Sequence, residues 1–368
     1  MSGLLELMAE ASREFAVCNA CRYCEGYCAV FPALELRSSL SDGDVVHLAN
    51  LCHDCRACFQ ACMYAAPHEF AVNVPKVMAE IRSHTYATHA WPRRLAPHLA
   101  RTPAVAIWSI AGLVLALIAI WATGHIAHLF NADGRPGAFY KLVPYAVLVI
   151  SGMVATVFVL SVIYGGLVTF WRNAGGSARE LFSVSAWKRA TGDALALRYQ
   201  EGGGPGCYYP DASRPSMVRR HLHSLVAYGF LAAFISTVLA ALWQDILGQL
   251  PPFPVLSPPV LFGIVGGVTM SVGCTGLLYL KGRSNQNLGA ESMRQMDVAF
   301  LVVLNLASVT GLLTLALRDT AAMGTVLVIH LAFLIALYAT APYGKFVHFV
   351  YRFAALLLFR AEELRPSR

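Results

Sequence analysis

Eight of the ten cysteines fall in two runs of one spacing. Cys18, Cys21, Cys24 and Cys28 read C-x2-C-x2-C-x3-C, and Cys52, Cys55, Cys58 and Cys62 repeat it 34 residues later. A [4Fe–4S] cube takes three thiolates from one tight loop and a fourth from elsewhere, which in two-cluster ferredoxins is the other run. The expected ligand sets are therefore Cys18, Cys21 and Cys24 with Cys62, and Cys52, Cys55 and Cys58 with Cys28. Structural zinc favours two C-x2-C knuckles separated by a longer stretch. A disulfide framework belongs to small secreted chains. The spacing thus argues for two cubane clusters. The proline that often follows the fourth cysteine is replaced by Ala29 and Met63, which alters a turn and removes no ligand.

The elements that carry these cysteines divide the chain sharply. Its 368 residues are 57% hydrophobic and 13% charged, against about 25% charged in ordinary soluble domains, so most of the chain belongs in lipid. Six apolar stretches, about 103–123, 143–170, 223–246, 259–280, 297–317 and 324–341, reach the roughly 20 residues that a helix needs to cross a bilayer. The segments before, between and after them that share the N-terminal side hold 25 Lys and Arg, while the opposite loops hold Arg135, Lys141 and Arg318. Lys and Arg accumulate on the cytoplasmic side, which places both termini inside a bacterial inner membrane. The formal charge of +7 is thereby explained without nucleic acid. The start, MSGLLELMAEASREF, has no secretory pattern, and thiolate ligands suit a reducing compartment.

The expected organisation is a cytoplasmic two-cluster domain over residues 1–101, spans 1 and 2 within 102–170, a cytoplasmic loop at 171–222, spans 3 to 6 within 223–341, and a cytoplasmic segment at 342–368. Between the cysteine runs, Ser41-Asp-Gly-Asp before Val45, Val46, Leu48, Ala49 and Leu51 reads as a capped, apolar-faced helix. No alternating strand pattern competes with it. The fold class is all-α: a helical two-[4Fe–4S] ferredoxin-like domain followed by a six-helix transmembrane cytochrome b-like domain. The histidines of the first hundred residues, His47 and His53 among them, read as surface or satisfied side chains. The loop at 171–222, with GGG at 202–204 and then Gly206-Cys207-Tyr208-Tyr209-Pro210, is either a flexible linker or a cap over the cluster domain.

A second constellation lies at membrane depth. His223 stands at the inner mouth of the third span, and His330 and His348 bracket the sixth. Ionisable groups there are rare and usually functional. Beside iron–sulfur clusters they point to haem, whose iron two imidazoles from different helices saturate. His330 and His348 are 18 residues apart, roughly 27 Å along a continuous helix, and do not share an iron. His223 and His348 share a level and are the expected ligands of one b-type haem. His221 is the rival to His223. A second haem at His330 requires His125 or His128; otherwise His330 is a hydrogen-bonded structural side chain.

With these residues in hand, CHDCRACFQACMYAAPHEFAVNVPKV, GGGPGCYYP, RRHLHSLVAYGF and the six-span tail together resemble the tricarballylate (citrate) utilization protein B family. The resemblance implies a membrane iron–sulfur and haem protein that reoxidises the reduced flavin of a separate tricarballylate dehydrogenase and delivers electrons to the membrane quinone pool. The stretch from His330 through Pro342 to His348 also resembles the last haem-bearing helix of respiratory nitrate reductase membrane subunits. The second histidine that those proteins carry three turns deeper in the third span is here Ala233. Neighbouring readings are a membrane subunit of a heterodisulfide-reductase-like or other respiratory complex, and a transporter with a zinc-binding domain. The absence of paired charges within any span speaks against the transporter.

Overall fold

A computed structural model describes residues 2–94, 96–99, 102–131, 135–210 and 213–365. The expected boundary after residue 101 falls on Arg101, outside the described residues. Among the described residues the protein is helical, with one isolated backbone bridge, Cys207 to Ser216, in place of any strand. In chain order the helices used below are α1 (Ser2–Cys21), α2 (Val30–Glu35), α3 (Asp42–Leu51), α4 (Val74–His89), α5 (Thr102–Ala122), α6 (Tyr145–Asn173), α7 (Val184–Leu195), α8 (Val218–Asp245), α9 (Pro258–Arg283), α10 (Glu291–Ala316), α11 (Met323–Thr340) and α12 (His348–Glu363).

Helices α5, α6 and α8 to α11 are long and apolar enough to span a membrane. Side chains such as Ile150, Val154, Val157 and Leu160 of α6 face outward, a band that suits lipid and would be a liability in water. The third and fifth of these helices begin earlier than hydropathy suggests, at Val218 and Glu291. Their first turns carry Arg219, Arg220, Glu291 and Arg294, which end a hydropathy plot but not a helix.

Helix α3 forms where the sequence indicated, and its start shows why. Ser41 Oγ accepts a hydrogen bond from Asp44 N at 3.2 Å, and the Asp44 carboxylate accepts from Ser41 N at 3.0 Å, a closed capping box. The apolar face of α3 then joins Phe15 of α1, Met78, Ile81 and Tyr86 of α4, all nearly inaccessible to water. Each such side chain contributes on the order of 1.5–3 kcal/mol by leaving water.

The core of the cysteine domain draws on residues far beyond position 101. Phe170 and Trp171 from the inner end of α6, Ala186 and Ala190 from α7, and Tyr351 and Leu356 to Phe359 from α12 belong to it. Tyr351 stacks on Tyr86, with ring centroids 5.4 Å apart. Arg37 ties the two ends of the chain together: its Nε donates to Asp44 at 2.6 Å and its Nη2 to Glu362 at 2.9 Å. Buried His47 donates from Nε2 to the Ala355 carbonyl at 3.0 Å and accepts at Nδ1 from Arg37 at 2.8 Å. Burial, aided by the Arg37 charge, holds its pKa down to about 3, so it stays neutral. His47 is the satisfied core histidine that the sequence reading favoured.

Candidate functional site: two cysteine nests and a histidine cleft

The cysteine loops are wound tightly. Arg22, Asp54 and Arg56 adopt left-handed backbone angles, with φ of 57°, 53° and 63°, between or beside the cysteines. Non-glycine residues hold such angles only where the surroundings over-determine them. The loops bring Cys18, Cys21, Cys24 and Cys62 to one another's side, around a pocket against α1. They gather Cys28, Cys52, Cys55 and Cys58 in a second, more enclosed group. Burial first, then the neighbouring sulfurs, pushes the Cys18, Cys24 and Cys28 thiols up to about 12. Among the described residues no three His, Cys, Asp or Glu side chains converge as ligands of a single ion. Four thiols around one pocket suit the [4Fe–4S] cube that the cysteine spacing indicates.

The loop at 171–222 is a cap rather than a slack linker. Tyr208 N donates to the Cys55 carbonyl at 2.8 Å. The Tyr209 ring lies between the guanidinium groups of Arg56 and Arg219, 4.6 and 4.8 Å from its centroid. Gly202 and Gly206 take positive φ angles of 57° and 120°, and a Cβ on Gly202 would stand 2.2 Å from the Gly206 carbonyl oxygen. The glycine run is the price of folding the strap this tightly over the second loop.

Beyond that loop opens a cleft of about 340 Å³, walled by α8, α9, α10 and the start of α12. His223 and His348 face each other across it, with ring centroids 6.0 Å apart and planes at 89°. Two imidazoles gripping one metal from opposite sides, with metal–nitrogen bonds of about 2 Å, place their centroids about 6 Å apart. His348 Nδ1 donates to the Lys345 carbonyl at 2.6 Å, which fixes the tautomer and leaves Nε2 its lone pair. Burial, together with Lys345, holds this imidazole well below the usual histidine range, in the neutral form that ligates metal. His223 Nδ1 is buried without a protein partner. Phe230, Phe300 and Phe346 pack edge to face along the apolar wall. Donor set, spacing and apolar walls fit a haem.

His221 points outward on α8, exposed. His330 is engaged elsewhere, its Nδ1 3.1 Å from Thr310 Oγ1, and His125 and His128 lie against each other with centroids 6.1 Å apart. Helix α11 ends at Thr340, the chain turns through Pro342, and α12 restarts at His348 after a short 3-10 turn, Lys345–Val347. Proline lacks the amide proton that would continue the helix, and the break lets α12 leave the bilayer and dock on the cysteine domain.

Two features escaped the sequence reading. Lys281 of α9 and Lys345 both pair with Asp297 of α10, the latter at 2.7 Å, so charges are paired at the span ends nearest the cysteine domain after all. They lie on separate segments, and no single stretch displays the pair. The second is the close seam between α8 and α9. A Cβ on Gly266 would stand 2.6 Å from Ala233 N and 2.7 Å from the Gly229 carbonyl oxygen, so only glycine lets these backbones meet. This seam sets the position of His223, two turns from Gly229. Gly266→Leu is expected to spread the helices and lower stability by about 1–3 kcal/mol, with haem lost in proportion. Thermal unfolding and haem per polypeptide check this; unchanged values in both would exclude a positioning role for the seam.

The family model described as citrate utilization protein B matches residues 98–368, and that of its Fer4-like domain matches residues 11–88. The chain belongs to the citrate utilization protein B family. Citrate utilization protein B of Escherichia coli is 40% identical over 368 residues, covering 99% of this chain and 95% of that protein. No solved structure matches. The Fer4-like region of the family covers both cysteine runs, and its larger region covers all six long apolar helices, including both histidines that face the cleft.

Proposed function

We propose that this chain is the membrane electron-transfer component of citrate or tricarballylate utilization, taking electrons from the reduced flavin of a tricarballylate dehydrogenase and delivering them to a membrane quinone. Cys18, Cys21, Cys24 and Cys62 would hold one [4Fe–4S] cluster, Cys28, Cys52, Cys55 and Cys58 a second, and His223 with His348 a b-type haem. When bound, these groups supply one-electron carriage, which the side chains of the protein lack. The observation that carries this reading is the facing His223 and His348 pair directly beneath the second cysteine loop.

The chain's own residues do the positioning. Arg82 donates to the Ala49 and Cys52 carbonyls at 2.9 and 3.0 Å, and Arg352 donates to Cys52 O at 2.6 Å. These bonds lock the loop against the helix that bears His348. The cap formed by Tyr208 and Tyr209 shields the loop from water, which suits electron transfer without side reactions. The basic inner segments suit an orientation with the cysteine domain in the cytoplasm, where a soluble dehydrogenase would dock.

The balance is simple: a reduced flavin gives up two electrons and two protons, and a quinone takes up two of each. The test uses membranes containing this chain, a flavin-dependent tricarballylate dehydrogenase and a short-chain quinone. Tricarballylate is expected to drive quinone reduction only when the chain is present. Equal reduction without it, or a purified protein free of iron, would overturn the proposal.

A further inference from the structure

The cleft carries an excess of positive charge on the side nearest the cysteine loops. Arg82, Arg219, Lys281, Lys345 and Arg352 line it, against Asp54 and Asp297. Asp297 is already matched by Lys281 and Lys345. Arg82, Arg219 and Arg352 form no ion pair among the described residues, and the buried Nε atoms of Arg82 and Arg352 have no acceptor. Arg82 is nearly inaccessible to water, and Arg219 and Arg352 are partly exposed to the cleft; positive charge gathered there without an ion-pair partner favours an anion as occupant.

The placement of two of them narrows the anion. Arg219 precedes His223 by one turn on α8, and Arg352 follows His348 by one turn on α12. Residues four apart share a helix face, so each arginine stands beside a histidine on the cleft wall. Both also lean to the same side. Arg219 Nη1 donates to the Asp54 carbonyl at 2.6 Å, and Arg352 Nη2 donates to the Cys52 carbonyl at 2.6 Å. Each therefore anchors one nitrogen on the second cysteine loop and retains further donors of its fork. A guanidinium fork matches a carboxylate, and here two forks, one from each histidine-bearing helix, line the cleft beside the two imidazoles.

We propose that Arg219 and Arg352 bind the two propionate carboxylates of the haem, so that the carboxylate edge of the porphyrin faces the Cys52–Asp54 backbone. This rests on the haem reading given above. It also assigns which cysteine group neighbours the haem: the one containing Cys52 and Cys55. The same two arginines then hold the loop and the porphyrin in one register. Arg82, bonded to two loop carbonyls, is left to offset the negative charge of the neighbouring thiolates.

The test compares haem with its dimethyl ester, which keeps the iron and ring and lacks the carboxylates. Apoprotein of the full chain, produced under haem limitation and kept in detergent, is titrated with each. Wild type is expected to bind haem at least tenfold more tightly than the diester, and the double variant Arg219→Gln, Arg352→Gln to bind both alike with a six-coordinate imidazole spectrum. Equal affinity of the wild type for both porphyrins, with that spectrum formed by each, would overturn the proposal while leaving the haem reading intact. A wild type that forms the spectrum with neither would instead remove the haem reading itself. A double variant that keeps the wild-type preference would also overturn the proposal, by moving the carboxylate contacts to another cation of the cleft; if it fails to fold, the single variants Arg219→Gln and Arg352→Gln carry the same comparison.

Discussion

His348→Ala is expected to strip the purified protein of its reduced b-type haem absorbance while both iron–sulfur signals persist. The argument is geometric. His348 is the first residue of α12, its Nδ1 is already occupied by the Lys345 carbonyl, and its ring lies 6.0 Å from that of His223 between centroids. Removing a supporting hydrogen bond at a metal site reduces affinity by about 10–100-fold, and removing the ligand itself should exceed that range. The helix behind it should survive, because Leu356, Leu357, Leu358 and Phe359 stay buried in the shared core and Arg360 keeps its pair with Asp193 at 2.5 Å. Two controls sharpen the result. His221→Ala should leave haem content unchanged, since that side chain points away from the cleft. His330→Ala should cost only the local contact to Thr310. Haem retained at wild-type level in His348→Ala, measured by pyridine haemochrome, would move the site elsewhere.

What could be read from the sequence depended on how locally each feature is encoded. The cysteine spacing is a local instruction, and so is a 20-residue apolar run, so both cysteine groups and all six long helices were legible. The Ser41 and Asp44 capping box was legible for the same reason, with donor and acceptor three residues apart. The facing of His223 and His348 followed from orientation and depth, an inference across 125 residues that needed only the inside and outside of each span. By contrast, α12 gave no sign of belonging to the cysteine domain. Its partners are Arg37 for Glu362 and His47 for Ala355, contacts more than 300 residues apart in the chain. The strap at 202–210 reads equally as a linker or a cap, because glycine serves slack and tight turns alike. Arg219 and Arg352 read as ordinary positive-inside residues, and only the fold sets each one turn from a histidine of the cleft.

The two cysteine groups should also respond unequally to loss of a ligand. Cys21→Ala and Cys55→Ala are each expected to abolish one cluster's paramagnetic signal and about half of the bound iron. Cys21 ends α1 with its side chain partly open to water, so its replacement should spare the second cluster and the haem. Cys55 is buried at 6% exposure. Its carbonyl accepts from Tyr208, and its loop is tied to α8 by Arg219 and to α12 by Arg352. Losing the metal core there leaves Arg82 without the thiolate charge that offsets it and loosens the loop that Arg219 and Arg352 tie to both helices carrying the histidines. Cys55→Ala should therefore lower the melting temperature more than Cys21→Ala and weaken haem retention as well. Equal melting temperatures, together with full haem in both variants, would mean that the second loop is not coupled to the cleft; survival of both paramagnetic signals in either variant would refute that cysteine as a ligand.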